Sequence, residues 1–146
     1  MVRIYLDVET YRPSNEDAFV NEKVIAIGVL EDKTPYTSDS LSRLVEELMF
    51  TEWKIGSEEK VIKSFYEYLE KIFKSEARFI VVVGYNILRM DIPLLIQKGV
   101  QYQIANLNEL NYYWYKEAYT IDFFQSLLPA NKYKFKGLRL PRIFEV

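Results

Sequence analysis

The sequence predicts an α/β or α+β fold in which helices cover a central β-sheet. Apolar runs rich in β-branched residues lie near the N-terminus, and further runs of this kind alternate downstream with segments of helical spacing. With 146 residues, the chain has the length of one domain, which we assign to residues 1–146. Such a sheet places functional side chains where its strands end.

Apolar composition and flanking turn residues predict strands at residues 2–8, 23–30, 79–83 and 119–123. The near-continuous apolar character of the first run is typical of a buried central strand. The second run follows a polar loop over residues 12–22, so we expect the first two strands to pair through a hairpin-like connection. Residues 51–55 predict a further short strand.

The clearest predicted helix begins after Gly56 and Ser57, where one apolar stripe contains Val61, Ile62, Phe65, Leu69, Ile72 and Phe73. A second helix is predicted to start at Asp91 and to end at Gly99. A short helix after the last strand should end at Pro129. Helical spacing also occurs at Leu41, Leu44, Val45, Leu48 and Met49, with Asp39 or Ser40 as the N-cap.

Composition narrows the class of protein. Hydrophobic residues make up 49% of the chain and aromatic residues 16%, which argues against disorder. The chain has no cysteine and no histidine, so disulfides, thiolate chemistry and histidine-based catalysis are excluded. No apolar run approaches the ~20 residues that span a bilayer, and the start has no secretory pattern. We therefore expect a soluble, cytoplasmic protein with no membrane partner.

Two carboxylates, Asp7 and Glu9, follow the first apolar run. Side chains two apart on a strand share a face, so both carboxylates are aimed at one place. Their mutual repulsion would be relieved by a divalent cation, and oxygen ligands suit Mg²⁺ or Mn²⁺. An exposed strand end entering a loop would give the same pattern. Asn86 and Asp91 follow the end of another predicted strand, and three acids converge in one cleft if these strands are parallel neighbours.

Two stretches resemble the proofreading 3′-to-5′ exonuclease superfamily, the four-acid nucleases with a ribonuclease H-like fold. Asp7-Val8-Glu9-Thr10 is similar to the first motif of that family. The stretch from Gly84-Tyr85-Asn86 to Asp91-Ile92-Pro93 is similar to its second motif, in the form found in the exonuclease domain of family B DNA polymerases. Met90 stands where that pattern has an aromatic residue. The resemblance implies a mixed central sheet flanked by helices.

The resemblance also implies roles for individual residues. Asp7 would bridge two Mg²⁺ or Mn²⁺ ions, Glu9 would hold the ion that carries the attacking water, and Asp91 would bind the second ion. Two such ions, roughly 4 Å apart, activate water and stabilise the leaving oxygen of a phosphodiester. Asn86 would contact the terminal nucleotide, and Thr10 and Tyr85 belong to the same substrate-binding set.

The family's third motif is not found in this sequence. That motif supplies a fourth acid, preceded by a tyrosine four residues upstream or a histidine five upstream. The only aspartate after Asp91 is Asp122, and Ala118 stands four positions before it. Asp122 matches a non-catalytic position of the family, so we interpret it as structural. Glu145 would reach the site only through an unusual geometry.

Two further groups are candidates for nucleic-acid contact. The aromatic segment over residues 112–115 could stack unpaired bases or pack over the sheet, and packing is the preferred interpretation. Basic residues near the end of the sequence could bind phosphates or an acidic partner, or could form a solvated face: Lys132, Lys134, Lys136, Arg139 and Arg142.

The sequence leaves two functions open. One is a metal-dependent 3′-to-5′ exonuclease-like phosphodiesterase that acts on single-stranded DNA or RNA ends and is impaired by the missing fourth acid. The other is a non-catalytic module that binds nucleic acid or a polymerase or other replication or repair protein. A third possibility combines these two functions: a homodimer partner would supply the missing acid or base in trans and so complete the active site.

Overall fold

A computed structural model describes residues 1–35, 43–75 and 79–138. Its described part contains one five-stranded sheet with the strand order β3-β2-β1-β4-β5. The strands are β1 Val2–Tyr11, β2 Lys23–Asp32, β3 Val45–Thr51, β4 Ile80–Gly84 and β5 Ala118–Asp122. β1 pairs antiparallel with β2 and parallel with β4, while β2–β3 is antiparallel and β4–β5 parallel. The predicted mixed sheet with flanking helices is therefore confirmed.

The helices of the described residues are α1 Glu52–Ile55, α2 Glu58–Lys74, α3 Asp91–Gln101, α4 Leu107–Tyr112 and α5 Phe123–Leu127. A 3₁₀ turn lies at Asn15–Asp17, and a π-helical turn at Tyr113–Glu117 follows α4. The Ser57 side chain caps α2 by accepting a hydrogen bond from the amide of Lys60. Among these helices, none is long and apolar enough to cross a membrane.

The hydrophobic core lies between one face of the sheet and the helices α2 and α3. Ile4 and Leu6 of β1 pack there with Phe65 of α2 and Leu95 of α3, and all four side chains are buried. β1 is central but not buried on both faces, because Tyr5 and Asp7 point to the opposite face and are exposed. The prediction of a fully buried first strand was wrong in this respect.

Pairing between strands overrides helical spacing around residue 48. The predicted helix there is instead β3, which pairs with β2 through Leu48 opposite Val29 and Met49 opposite Gly28. Contacts with β2 stabilise the β-branched and large residues of this run as a strand more than they would be stabilised in an isolated helix. The other residues of that prediction, Asp39, Ser40 and Leu41, lie outside the described residues.

Two boundaries also differ from the sequence prediction. The predicted strand at residues 51–55 is wrong, because Glu52–Ile55 forms the single turn α1, which ends at Gly56 with a left-handed φ of 106°. α3 continues through Gly99 instead of ending there. Gly99 allows close packing between helices, since a Cβ atom at this position would lie 2.8 Å from Leu110 Cδ1.

Gly84 ends β4 at a point where the backbone of β1 comes very close. A Cβ atom on Gly84 would lie 2.9 Å from the carbonyl oxygen of Leu6 and would also collide with the Ile87 side chain. Real Cβ atoms do not approach a backbone carbonyl so closely, so only glycine fits without a backbone shift. The turn that follows β4 thus depends on a residue without a side chain.

We expect Gly84→Ala to lower the free energy of unfolding by roughly 1–3 kcal/mol, the usual range for overpacking a core. Gly28→Ala is the matched control, because its Cβ atom would meet the flexible, exposed Met49 side chain at 3.3 Å and the Asp7 carbonyl oxygen at an ordinary 3.8 Å. Urea unfolding followed by circular dichroism measures both. Equal stabilities of the two variants would contradict the close approach of β1 and β4.

Candidate active site

A cleft of about 530 Å³ opens at the edge of the sheet where the parallel strands β1, β4 and β5 end. Its walls come from β1 and the loop after it, the β4–α3 turn, α3, α5 and the segment that follows α5. The lining residues are Asp7, Val8, Thr10, Arg12, Glu22, Tyr85, Asn86, Arg89, Met90, Asp91, Leu94, Phe124, Phe135 and Leu138. The strand ends thus bring both predicted motifs to one place.

Asp7 projects from β1 into space that neighbouring strands leave free. β1 pairs with β4 only as far as Tyr5 and Val83, so Asp7 lies beyond the last paired residue on that side. On its other side Asp7 pairs with Gly28, which has no side chain. The Asp7 carboxylate is exposed and makes no hydrogen bond or ion pair within the described residues.

Glu9 is the second carboxylate of β1, and it is also exposed. It lies on the same face as Asp7 because the two residues are two apart on a strand. The strand register shifts between Glu9 and Thr10, which marks a bulge directly after the pair. Glu9 does not line the cleft itself, although its charge acts on Asp91 within it.

Asp91 is the first residue of α3 and lines the cleft with Asp7. Burial, and to a smaller extent the negative charges of Asp7, Asp122, Glu9 and Glu22, raise the pKa of Asp91 to about 7. Ionised Asp91 is therefore poorly compensated by the protein's own groups. A cation in the cleft would favour the ionised form.

Asp122 anchors the turn between β4 and α3. Its buried carboxylate accepts hydrogen bonds from the backbone amides of Asn86 at 2.7 Å, Leu88 at 3.0 Å and Phe124 at 3.0 Å. The last of these bonds caps the short helix α5. The oxygens of Asp122 are thus used to hold the backbone, and the carboxylate is not among the residues that line the cleft.

Asn86 and Tyr85 reach the cleft from this anchored turn. Asn86 adopts a left-handed backbone with φ of 61°, which asparagine tolerates better than most residues. Its buried side-chain oxygen has no hydrogen-bond partner in the part of the chain that the structure describes. Tyr85 donates its hydroxyl hydrogen bond to the carbonyl of Leu138 and packs edge-on against Phe124. The Asn86 oxygen is therefore buried and unpaired among the described residues, whereas the tyrosine hydroxyl is engaged.

Thr10 belongs to a buried network centred on Glu22, which is only 1% exposed. The Glu22 carboxylate accepts hydrogen bonds from Thr10 Oγ1 at 2.7 Å, Arg12 Nη2 at 2.9 Å and the amide of Phe19 at 3.1 Å. Burial alone would raise the pKa of Glu22, but the hydrogen bonds from Arg12, Thr10 and Phe19 hold it below its ordinary value. The Thr10 hydroxyl is thus committed to Glu22.

Sequence reasoning missed Glu22, Arg12 and Arg89 as cleft residues. Glu22 and Arg12 come from the loop between β1 and β2, which has no periodicity or motif that would indicate a site. Arg89 lies within the second motif but at a position that the motif leaves open. The signal that could have indicated Arg12 and Glu22 is an opposite-charge pair flanking one loop, which is common and therefore unspecific.

The chain after α5 folds back over the cleft. Phe135 stacks on Phe124 with 5.7 Å between ring centroids, and the Arg89 guanidinium lies 5.7 Å from the Phe135 ring. The lysines around Phe135 are exposed and do not line the cleft: Lys132, Lys134 and Lys136. The other two basic residues of that predicted group, Arg139 and Arg142, lie outside the described residues, and so does the acid Glu145.

The aromatic segment over residues 112–115 lies away from the cleft. Trp114 is buried, and its ring stacks on Phe65 of α2 with 6.3 Å between centroids. Tyr113 packs against α2 as well, while Tyr112 and Tyr115 are exposed. Half of this segment therefore serves packing between α2 and the π-helical turn.

The oxygen donors in the cleft are of the kind that Mg²⁺ and Mn²⁺ accept. They are the carboxylates of Asp7 and Asp91, which both line the cleft. Nevertheless, within residues 1–35, 43–75 and 79–138 no three acidic side chains are grouped in an arrangement that could hold a metal ion. The types of donor fit a hard cation, and the three-carboxylate site of Asp7, Glu9 and Asp91 stays a prediction.

Comparison with solved structures identifies the fold. Exonuclease I of E. coli superposes on 94% of the chain with a TM-score of 0.57 and 11% sequence identity. Its zinc-bound complex with single-stranded DNA gives a TM-score of 0.56 at 11% identity over 94% of the chain. Its complex with SSB-Ct gives 0.57 at 11% identity over 99%. These matches span 32%, 31% and 33% of exonuclease I, so the protein corresponds to about a third of that chain.

No protein-family model and no curated protein matches the sequence. At 11% identity the structural likeness shows the fold alone, a mixed five-stranded sheet flanked by helices that is consistent with the ribonuclease H-like fold of exonuclease I. The closer resemblance of the second motif to family B polymerases remains a prediction from the sequence.

The raised pKa of Asp91 predicts a pH-dependent stability. Between the ordinary carboxyl pKa near 4 and about 7, the folded state binds a proton that the unfolded state releases, so stability falls as pH rises through this range. In EDTA we expect Asp91→Asn to be more stable than the wild type at pH 8, on the order of 2 kcal/mol, and to lose this advantage at pH 4.

Urea unfolding at both pH values measures this difference. Glu67→Gln removes one exposed carboxylate of α2 and is the control for a simple change in net charge. The assignment would be contradicted if Asp91→Asn were destabilised equally at pH 4 and pH 8.

Proposed function

We propose that the protein is a divalent-metal-dependent, 3′-to-5′ exonuclease-like phosphodiesterase that acts on single-stranded nucleic-acid ends. The observation that carries this proposal is the convergence of Asp7 and Asp91, one from each predicted motif, on a single cleft at the strand ends. The exonuclease I fold supports the assignment to a nuclease class.

The ligand assignment follows from position and chemistry. Asp7 and Asp91 would hold the metal from two sides of the cleft, and Glu9 would join them from the face of β1 that it shares with Asp7. The bound cation would supply Lewis-acid activation of water and of the phosphodiester. The negative charge around Asp91 supports this assignment, because each ionised carboxylate raises the free energy needed to ionise its neighbours, and a bound cation would lower it.

Other cleft residues are suited to a nucleotide. Asn86 lines the cleft, and its side-chain amide is of a kind that hydrogen-bonds a sugar hydroxyl or a base. Arg89 and Phe135 place a cation and an aromatic ring at the same wall, and these groups bind a phosphate and a base face respectively. Tyr85, whose hydroxyl is bonded to Leu138, would contribute its ring to this wall.

We propose that catalysis is slow relative to a four-acid enzyme. Glu22 is a further carboxylate of the cleft, but Arg12, Thr10 and Phe19 occupy its oxygens. Asp122 is similarly engaged by three amides. A water between the metal ligands would therefore lack a free general base from these two residues.

The runner-up function is a non-catalytic module that binds single-stranded nucleic acid. The absence of a three-carboxylate grouping within the described residues favours it. We propose single-stranded DNA before RNA as the ligand of either function, since the exonuclease I structures include a complex with single-stranded DNA. The exonuclease I complex with SSB-Ct supports a replication or repair protein as partner. Mg²⁺ or Mn²⁺ is the proposed cofactor, and a cytoplasmic location is part of the proposal.

Digestion of a 5′-labelled single-stranded oligonucleotide in Mn²⁺ tests the enzyme. We expect shortening from the 3′ end, inhibition by EDTA and at least a hundredfold loss in Asp7→Asn and Asp91→Asn, because each substitution removes a proposed metal ligand. Glu67→Gln should keep full activity.

Two outcomes would decide against this proposal. Equal cleavage by the wild type and Asp7→Asn would assign the activity to a contaminant. Binding of the same oligonucleotide by fluorescence anisotropy in EDTA, without cleavage in Mn²⁺, would support the binding module instead.

A further inference from the structure

The face of the sheet opposite α2 and α3 is uncovered within the described residues. Large apolar or aromatic side chains are exposed on it from four of the strands and from the start of α5. They are Tyr5, Leu30, Met49, Tyr119, Ile121 and Phe123. We call this surface the open face.

The strand registers show that these side chains form one surface. Tyr5 lies opposite Leu30 and beside Val83, which in turn lies beside Ile121. A shallow concavity of about 380 Å³ on the open face is lined by residues that include Tyr5, Leu30, Met49, Val83 and Phe123. The apolar surface is therefore continuous from β3 to the start of α5.

Such a surface is unusual for a sheet of this kind. All-parallel sheets are covered by helices on both faces, and β1, β4 and β5 form a parallel half of this sheet that is covered on one face only. Large contiguous apolar patches mark interaction sites. The covered face of the same sheet carries α2 and α3, so a helix is the element whose shape suits the other side.

The charges of the open face indicate what kind of partner it accepts. Asp7, Glu9 and Glu47 point to it, and none of the three makes an ion pair among the described residues.

The strand cations on the same face are already paired, Arg3 with Asp32 and Lys23 with Glu52. The surface is thus apolar at its centre with a net negative rim. A second copy of this chain would bring the same carboxylates against it, whereas a partner with basic residues would neutralise them.

We propose that the open face is the docking surface for an amphipathic helix of a partner protein, with an apolar stripe flanked by lysine or arginine. The stripe would lie over Leu30, Tyr5 and Ile121, and a basic flank would reach Glu47, the carboxylate of this surface that is not a proposed metal ligand. Asp7 and Tyr85 line both the open face and the cleft, so a docked helix would lie next to the candidate active site. The docking proposal does not depend on nuclease activity.

A peptide of about five turns, ~18 residues, serves as the probe. It carries leucines at positions i, i+3, i+4 and i+7 with lysines on both flanks, and a second peptide replaces every lysine by glutamate. Fluorescence anisotropy with the full chain should show binding of the lysine peptide that weakens with salt, and at least tenfold weaker binding of the glutamate peptide.

Matched variants locate the binding. The double variant Leu30→Lys and Ile121→Lys changes two side chains of the open face that are 39% and 44% exposed. It should bind the lysine peptide at least tenfold more weakly than the wild type does. The control double variant Val100→Lys and Leu107→Lys changes two side chains outside this face that are 42% and 54% exposed. It should bind the lysine peptide as tightly as the wild type does. Glu47→Lys should also weaken binding, while Glu46→Lys, which points to the other side of β3, should have little effect.

Three results would overturn the proposal. The first is equal or tighter binding of the glutamate peptide, and the second is no binding of either peptide. The third is a dimer in light scattering that dissociates in the Leu30→Lys and Ile121→Lys variant, because a second copy would then cover the open face. Circular dichroism of each variant checks that it is folded.

Discussion

β1 and β4 run parallel and pair only from Val2–Ile80 to Tyr5–Val83, and the position of the cleft follows from this short register. β1 continues past the end of β4, so Asp7 projects into space that no β4 residue fills. The chain leaving β4 must turn at once toward α3, and Gly84 permits this turn beside the Leu6 carbonyl. The turn then delivers Asn86 and Asp91 to the side of Asp7.

The buried carboxylates differ in how well hydrogen bonds and neighbouring cations stabilise their negative charge. Arg12 and two hydrogen-bond donors satisfy Glu22, and three backbone amides satisfy Asp122. Asp91 is buried without comparable support, and burial is the main cause of its raised pKa. A carboxylate held in this way costs stability at neutral pH, and such costs concentrate at functional sites. Glu22 and Asp122 therefore serve to hold the backbone and the loop, and the lack of such support at Asp91 favours the proposal that it is a metal ligand.

The open face gives the sheet a second unusual property. A sheet that buries only one face exposes apolar side chains that water solvates poorly. The predicted site lies at the border between this face and the cleft, since Asp7 and Tyr85 belong to both. Any element that covers the open face would therefore also change the surroundings of Asp7.

The sequence allowed the prediction of residues whose roles follow from local patterns. The alternation of β1 placed Asp7 and Glu9 on one face, and the end of β4 placed Asn86 and Asp91 near them. β3 was mistaken for a helix because apolar residues at helical spacing do not reveal that β2 offers a pairing partner. Arg12 and Glu22 were missed because their positions depend on a loop packing against the cleft.

Exposure of Tyr5 and Ile121 was equally unpredictable, since it depends on which elements cover a face.

Calorimetric titration of the protein with Mn²⁺ at pH 8 tests most directly whether the cleft is a metal site. The account predicts binding in the wild type that is lost in both Asp7→Asn and Asp91→Asn and retained in Glu67→Gln, because only the first two remove oxygen donors from the cleft. Absence of binding in the wild type, or equal binding in all four proteins, would contradict it.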